Sequence, residues 1–472
     1  MNQADAVVIG SGPNGLAAAI VIAQTGRKVI VFEAAPTIGG GCRSSELTLP
    51  GFVHDVCSAV HPFALVSPLF ESLPLGDYGL EWITPPAMLA HPLNDGRAAI
   101  VRHSIDETAS GLGPDGPAYR RLFGPLVESW PKIAGSVLGP LRWTSHPVAL
   151  ARFGLRALQA ADTVARRTFS GDAARALFGG IAAHGLLPLD RSPTAGVGLT
   201  LNLMAHLAGW CLPRGGAQSL ANALAAHLRT LGGEIVTGTP VTSIDALPPA
   251  KAVLCDLSPR PLLRIAGNRF PPSYRRALEG YRYGMGVFKI DYALDGPIPW
   301  TNPDCALSPT VHVGGTLDEI EASERAAWNG EPPARPFVLV VQPTLFDRTR
   351  APEGKHIAWT YCHVPGGSTF DMRERMEQQI ERYAPGFRNR ILARSIMQPA
   401  DFERYNPNLV GGDIGAGVTD LRQLFTRPTW RTYSTPVRGL YLCSASTPPG
   451  VGVHGMCGYF AAKRALAEVL RD

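Results

Sequence analysis

Six residues near the start, Gly10-Ser11-Gly12-Pro13-Asn14-Gly15, leave this chain few folds to adopt. An apolar run, Ala6-Val7-Val8-Ile9, precedes them. A helix-forming run over 16–23 follows, then Gly26, a second apolar run over 28–32 and the acid Glu33. This is strand, tight glycine turn, helix and second strand within about 30 residues, the dinucleotide-binding fingerprint. Gly10 makes the turn, Gly12 lets backbone N–H groups approach a pyrophosphate, and Gly15 packs helix on strand. The helix N-terminus adds partial positive charge and free N–H donors, so the whole turn, Pro13 and Asn14 included, is assigned to the cofactor. Glu33 is placed to accept from a ribose hydroxyl, and its charge would repel a 2′-phosphate.

Two further glycine segments extend the site. Gly39-Gly40-Gly41-Cys42-Arg43-Ser44 follows the second strand directly and reads as a second clamp, with Arg43 neutralising a phosphate and Ser44 hydrogen-bonding. Near the C-terminus the strand-like 439–444 leads into Gly450-Val451-Gly452-Val453-His454-Gly455 and a helix over 459–470. That turn also reads GxGxxG, yet no second strand or acid follows it before Asp472. It is therefore expected to meet the distal end of the cofactor already held at Gly10–Gly15. FAD is long enough, and its reduced isoalloxazine carries negative charge near N1 and O2 that a helix N-terminus welcomes.

The remaining pattern gives a layout. Strands are expected over 80–101, 234–236, 241–244, 252–255, 287–294 (alternating, half-buried), 337–342 and 356–364. Helices are expected over 106–109, 118–130, 147–165, 172–183, 220–231 and 374–383. Net charge is +5 with only six Lys and no basic run, so no nucleic-acid partner is expected. Eight Cys lie scattered without metal spacing, which predicts reduced thiols, no metal and a cytoplasmic protein. The first strand begins too near Met1 for a cleavable leader. The uncharged stretch 192–213 approaches the ~20 residues of a membrane span, but its Pro, Gly, Asn and His favour a buried or pocket-lining helix, with peripheral membrane contact as the alternative.

At this point the chain resembles the phytoene-desaturase-like FAD-dependent oxidoreductases, in particular the phytoene-dehydrogenase-related branch. The resemblance rests on Gly10–Gly15 with Glu33, on 39–44, on Pro213-Arg214-Gly215-Gly216, and on 439–455. It implies an α/β fold: a Rossmann-like, glutathione-reductase-like FAD domain in three pieces (1–73, 205–284, 401–472) with an α+β substrate domain inserted twice (74–204, 285–400). It implies Arg43 near the flavin phosphates and Val451, Gly452 and Val453 by the isoalloxazine. Val241 and Ser446 join the cofactor contacts on the same basis, with Gly40, Gly41, Ser44 and Gly450. The chain departs from the carotenoid desaturases at His54-Asp55-Val56-Cys57-Ser58, which keeps the acid but not the Gly-Pro that follows, and at Ser444-Ala445.

The function expected is hydride transfer between an apolar, isoprenoid- or lipid-like substrate and flavin N5, with oxygen or a quinone as acceptor because only one full βαβ fingerprint is present. The alternatives are flavin amine oxidation and a non-enzymatic lipid-binding or escort role. Candidate proton-moving groups are His454, Asp55 and His54, with His61 nearby. Lys289 and Asp291 either pair or line the pocket, and Asp413 either caps a turn or faces the flavin.

Overall fold

The first strand, Ala6–Ile9, is buried along its whole length, as a strand covered on both faces must be. The computed structural model describes residues 4–141 and 144–471. In it a parallel five-stranded sheet runs Leu440–Leu442, Ala252–Cys255, Ala6–Ile9, Val29–Phe32, Glu234–Val236. The head helix, Pro13–Ala23, is buried at every position except Pro13. A helix apolar all round belongs in the core. It packs against the tail helix, Met456–Glu468. At that crossing a methyl group on Gly458 would fall 1.9 Å from the Asn14 carbonyl oxygen.

The second sheet has seven strands, ordered Ile391–Met397, Gly286–Leu294, His356–Val364, Val338–Val341, Thr310–Val313, Leu89–Pro92, Ala98–Val101. All neighbours are antiparallel except Thr310–Val313 beside Leu89–Pro92. One of its faces meets the helices of 105–207 and the first sheet's layer in a shared core; the other encloses a separate core around Phe288, Tyr292 and Phe387. The α/β class with a Rossmann-like parallel sheet is thus as the sequence implies.

Three expectations need correction. The 286–294 strand is buried at all nine positions rather than at alternate ones, because strands flank it on both sides and both faces are covered. The 147–165 helix is broken into Pro147–Ala157 and Ala161–Thr168. The break is held by the start of the later helix Thr194–Leu207: Ala195 N–H donates to the Gln159 carbonyl (3.1 Å) and Ala161 N–H to Thr194 Oγ1 (2.9 Å). The 241–244 segment forms no strand. Thr239 N–H donates to the Glu33 carbonyl (2.9 Å), Pro240 follows, and Val241 packs half-buried on the face of Val7, Ile30 and Phe32. The uncharged 192–213 stretch forms the buried helix Thr194–Leu207, and among the described residues no helix is long and apolar enough to cross a membrane.

The crossing of head and tail helices has a direct test. Gly458→Ala inserts its methyl against backbone, which cannot rotate away, and is expected to lower unfolding free energy by about 1–3 kcal/mol in denaturant titration.

Candidate functional site

In the five-stranded sheet the order reverses between Ala6–Ile9 and Ala252–Cys255, and ligands of such sheets bind at the C-terminal ends of the strands on either side of the reversal. The turn after the first strand opens with Gly10 at φ +99°, a conformation L side chains rarely adopt. A methyl on Gly15 would meet the Gly10 carbonyl oxygen at 2.1 Å. The head helix starts at Gly12 with no capping bond from that residue; Pro13 carries no N–H and Asp256 takes the Gly15 N–H, which leaves the Gly12 and Asn14 amides for a ligand. Asn14 Oδ1 is buried there without a hydrogen-bond partner. The glycine turn and its amides fit a dinucleotide diphosphate, while the Asn14 Oδ1 acceptor asks for a donor such as a hydroxyl of the same ligand.

The acid at the end of the second strand is placed differently from expectation. Glu33 Oε2 accepts from Ser11 N–H (2.9 Å) and Ser11 Oγ (2.6 Å); Oε1 accepts from Ala35 N–H (2.9 Å) and lies 3.1 Å from the Arg43 guanidinium. Its four lone-pair directions are filled, so a ribose hydroxyl reaches Glu33 only by displacing Ser11 Oγ or Arg43. Arg43 already has partners in this structure: it pairs with Glu33, donates to the Thr37 carbonyl (3.0 Å) and lies over the Tyr405 ring, 5.3 Å from its centroid. Tyr405 in turn donates to the Gly40 carbonyl (2.7 Å), anchoring the 39–44 clamp. Gly40 itself packs onto Gly12, where its methyl would sit 3.0 Å from the Gly12 Cα.

The tail turn lies in the same neighbourhood. Gly455, at φ +67°, abuts Phe70 and Ala17 of the head helix, where a methyl would meet them at 2.6 and 2.9 Å. Val451 is exposed, with Gly452 and Val453 half-buried beside it. His454 Nδ1 accepts from Met456 N–H (3.0 Å), capping a free donor of the tail helix, while its carbonyl accepts from Ser67 Oγ (2.6 Å). Burial pushes its imidazole down to about 4, so it is neutral at pH 7. Ser446 Oγ donates to the Ala416 carbonyl (2.9 Å), and the buried Arg427 donates to the carbonyls of Gly415, Ala416 and Ala445. Asp413 accepts from the N–H groups of Gly284, Gly415 and Gly417, as a turn cap does.

Between the two sheets lies a knot of charge. Asp55 Oδ1 accepts from Ser44 Oγ (2.7 Å) and Ala217 N–H (2.8 Å), and Oδ2 from Arg350 (2.9 Å). Asp55 and Arg350 are each 1% exposed. Ser44 thus braces Asp55, and it also accepts from Gln218 N–H. Lys289 pairs with Asp291 one position along the same strand face, and its ammonium sits over the Trp359 ring. His54 Nδ1 stands 3.6 Å from Asp291 Oδ1, beyond hydrogen-bond length, while its Nε2 bonds Thr48 Oγ1 (2.8 Å). Burial, with Lys289 and Arg350 adding to it, pushes His54 down to about 3, so it carries no charge. Half-buried Cys57 links the knot to the clamp: it lies against Gly41, and burial pushes its thiol up to about 11 in spite of the Lys289 charge nearby. All eight cysteines are free thiols, and no metal-binding group of His, Cys, Asp or Glu occurs among the described residues.

Sequence reasoning missed Asp256, Arg350, Tyr405 and Arg427. Asp256 had a signal: an acid directly after the strand beside the fingerprint, at the end where ligands bind. Its Oδ2 accepts from Gly15 N–H at 3.0 Å.

With this geometry in place, comparison with known proteins is informative. Residues 8–70 match the model of an NAD(P)-binding Rossmann-like domain. Over 99% of its length the chain is 28% identical to pyridine nucleotide-disulfide oxidoreductase domain-containing protein 2 of Mus musculus, covering 93% of that protein. Over 39% of its length it is 24% identical to the 4,4'-diapophytoene desaturase of Staphylococcus aureus, covering 39% of that enzyme. A solved structure of an oxidoreductase from Methanosarcina mazei superposes with a TM-score of 0.66 at 18% identity, over 98% of this chain and all of the other. The two chains share one fold.

The Asp55–Arg350 pair supplies a test of how the two sheets are joined. Arg350→Ala leaves a carboxylate buried without its cation and is expected to cost about 3–5 kcal/mol of stability by chemical denaturation.

Proposed function

We propose that the chain is an FAD-dependent oxidoreductase that passes hydride between an apolar, isoprenoid- or lipid-like substrate and the flavin. The observation that carries this reading is the crossing of the two helices that follow the glycine turns: Gly455, which closes the tail turn, touches Ala17 of the head helix, and Gly458 of the tail helix touches Asn14 of the head turn. One elongated cofactor reaches both. When bound, the flavin supplies hydride exchange at its N5. The chain's own part is binding and exclusion of water. The amides of the head turn take the diphosphate, and the tail turn offers Val451, Gly452 and Val453 to the ring. Cys57, Lys289 and Tyr361 mark where clamp and seven-stranded sheet come together. The substrate is apolar on the strength of the uncharged, buried helix Thr194–Leu207 and of Val287, Leu339 and Tyr361 on the sheet face toward the shared core. Oxygen or a quinone takes the electrons, since the one parallel sheet among the described residues is committed to the flavin. Val148 and Leu155, seven residues apart on one face of the helix Pro147–Ala157, are exposed and support peripheral contact with a lipid surface as the entry route.

Loss of hydride from such a substrate is completed by loss of a proton from the neighbouring carbon, but His454 is committed to Met456 N–H and both Asp55 oxygens to Ser44, Ala217 and Arg350, so neither is assigned as the base. His454 acts as a positioning residue for the tail turn, and Asp55 ties the clamp to the middle segment. A second reading, amine oxidation, draws on Trp359 and Tyr361, whose rings meet edge to face at 5.0 Å on the sheet face. Lys289 already occupies the Trp359 ring, which disfavours a second cation there.

The test is spectroscopic. The purified protein is expected to be yellow, to release FAD on heating, and to bleach anaerobically with isoprenoid or long-chain substrates but not with polar amines. Bleaching by amines alone establishes the second reading; a colourless protein that takes up no FAD overturns both.

A further inference from the structure

The glycine turn that would receive the diphosphate already faces a carboxylate from its own chain. Asp256 Oδ2 accepts the Gly15 N–H at 3.0 Å. A methyl on Gly12 would meet that same oxygen at 2.8 Å, and one on Gly10 would meet the Asp256 Cβ at 3.1 Å. The side chain therefore touches all three glycines of the fingerprint. Its backbone is fixed as well: Asp256 N–H donates to the Ile9 carbonyl (2.8 Å), and its own carbonyl accepts from Asn408 (2.9 Å). Asp256 cannot drift away when a ligand arrives. A diphosphate on the Gly12 amide then places fixed negative charge beside a carboxylate, in a site where Glu33 adds a second carboxylate.

We propose that Asp256 takes up one proton from solvent when the diphosphate of the cofactor seats on the glycine turn. The neutral carboxyl then donates its O–H to a diphosphate oxygen instead of repelling it. This inference rests on the FAD reading above and assigns Asp256 to the cofactor site.

The surroundings agree. The Gly15 N–H favours the ionised form, but burial and the Glu33 carboxylate outweigh it and push Asp256 up to about 7. The groups facing it are Glu33 from the second strand with Arg43 upon it, Cys255 from its own strand, Cys443 after the tail strand and Cys457 from the tail helix. Burial raises all three thiols, Cys255 and Cys457 to about 12, so none of them titrates near neutrality. The sign follows. A group that must be protonated in the complex costs nothing below its unliganded titration point and weakens binding tenfold per pH unit above it.

Full-length protein stripped of flavin is titrated with FAD, following flavin fluorescence at pH 6 and pH 8. The dissociation constant is expected to rise about tenfold between them. Calorimetry at pH 8 in buffers of different ionisation enthalpy is expected to show uptake of one proton per FAD bound. Asp256→Asn keeps an acceptor for Gly15 N–H and is expected to abolish both the pH slope and the proton uptake. Flavin binding by the wild type with neither slope nor uptake overturns the proton coupling and leaves the flavin function intact. A slope that persists unchanged in D256N moves the proton elsewhere and also overturns the assignment. Failure of both proteins to bind FAD at either pH overturns the function itself, and this inference with it.

Discussion

Backbone against backbone is the contact on which the cofactor site depends. Where the head and tail helices cross, Gly458 leaves the Asn14 carbonyl no space for even a methyl group, and Gly455 does the same against Ala17 and Phe70. Two helices approach this closely only if one presents glycine. The approach brings the N-terminal ends of two helices into one region, their glycine N-caps supplying no side-chain bond and one first-turn amide of each held instead by Asp256 and His454. The positive ends of two peptide dipoles are thereby concentrated where an anionic cofactor would lie. Side-chain packing elsewhere, including the wholly apolar inner face of the head helix, serves to keep that crossing in place.

A second constraint joins the two sheets. Burying ions between layers costs more in lost hydration than a surface pair ever would, and such a pair survives only when every oxygen and N–H has a partner. Asp55 meets that condition through Ser44, Ala217 and Arg350. It touches the clamp, the segment before the helix Gln218–Thr230 and the loop after the fourth strand of the larger sheet at once. The His54 and Asp291 ends of the same knot are less complete, each with an unpartnered buried atom. That incompleteness sits on the face where clamp and sheet come together, beside Cys57 and Lys289.

Much of the smaller sheet was legible because its signals are local. Four of its five strands are short apolar runs next to glycine or an acid, and the fingerprint sets helix and strand in register within 30 residues. The larger sheet was legible only in part: Thr310–Val313 and Ile391–Met397 were not expected as strands, and the order was not legible because neighbours are brought together from distant segments. Burial on both faces hid the alternation expected of 286–294. Val241-Thr242-Ser243-Ile244 has strand-like composition, but the chain leaves the sheet at Pro240. His54 and Asp55 looked catalytic because they are titratable groups among apolar ones. What distinguishes a tie from a catalyst is the partner, and Arg350 lies 295 residues further on. Arg43 has a partner the sequence did not reveal: a guanidinium after paired glycines suits a phosphate, and buried Glu33 also pairs with it. Asp256 was the one local clue passed over, an acid at the mouth of the strand next to the fingerprint.

The arrangement of the central sheet also constrains how the protein comes into being. Its first two strands and the head helix emerge earliest from the ribosome, but the strand on the far side of Ala252–Cys255, and the helix that covers Asn14 and Ala17, are made last. Until then the flank of the head helix that packs on the tail helix lacks its partner. Nascent chains of this protein thus pass most of their synthesis with an unfinished core, a state that favours aggregation and calls for chaperone holding. The contact that completes the core joins residues 14–17 to 455–458, nearly the full length of the chain apart.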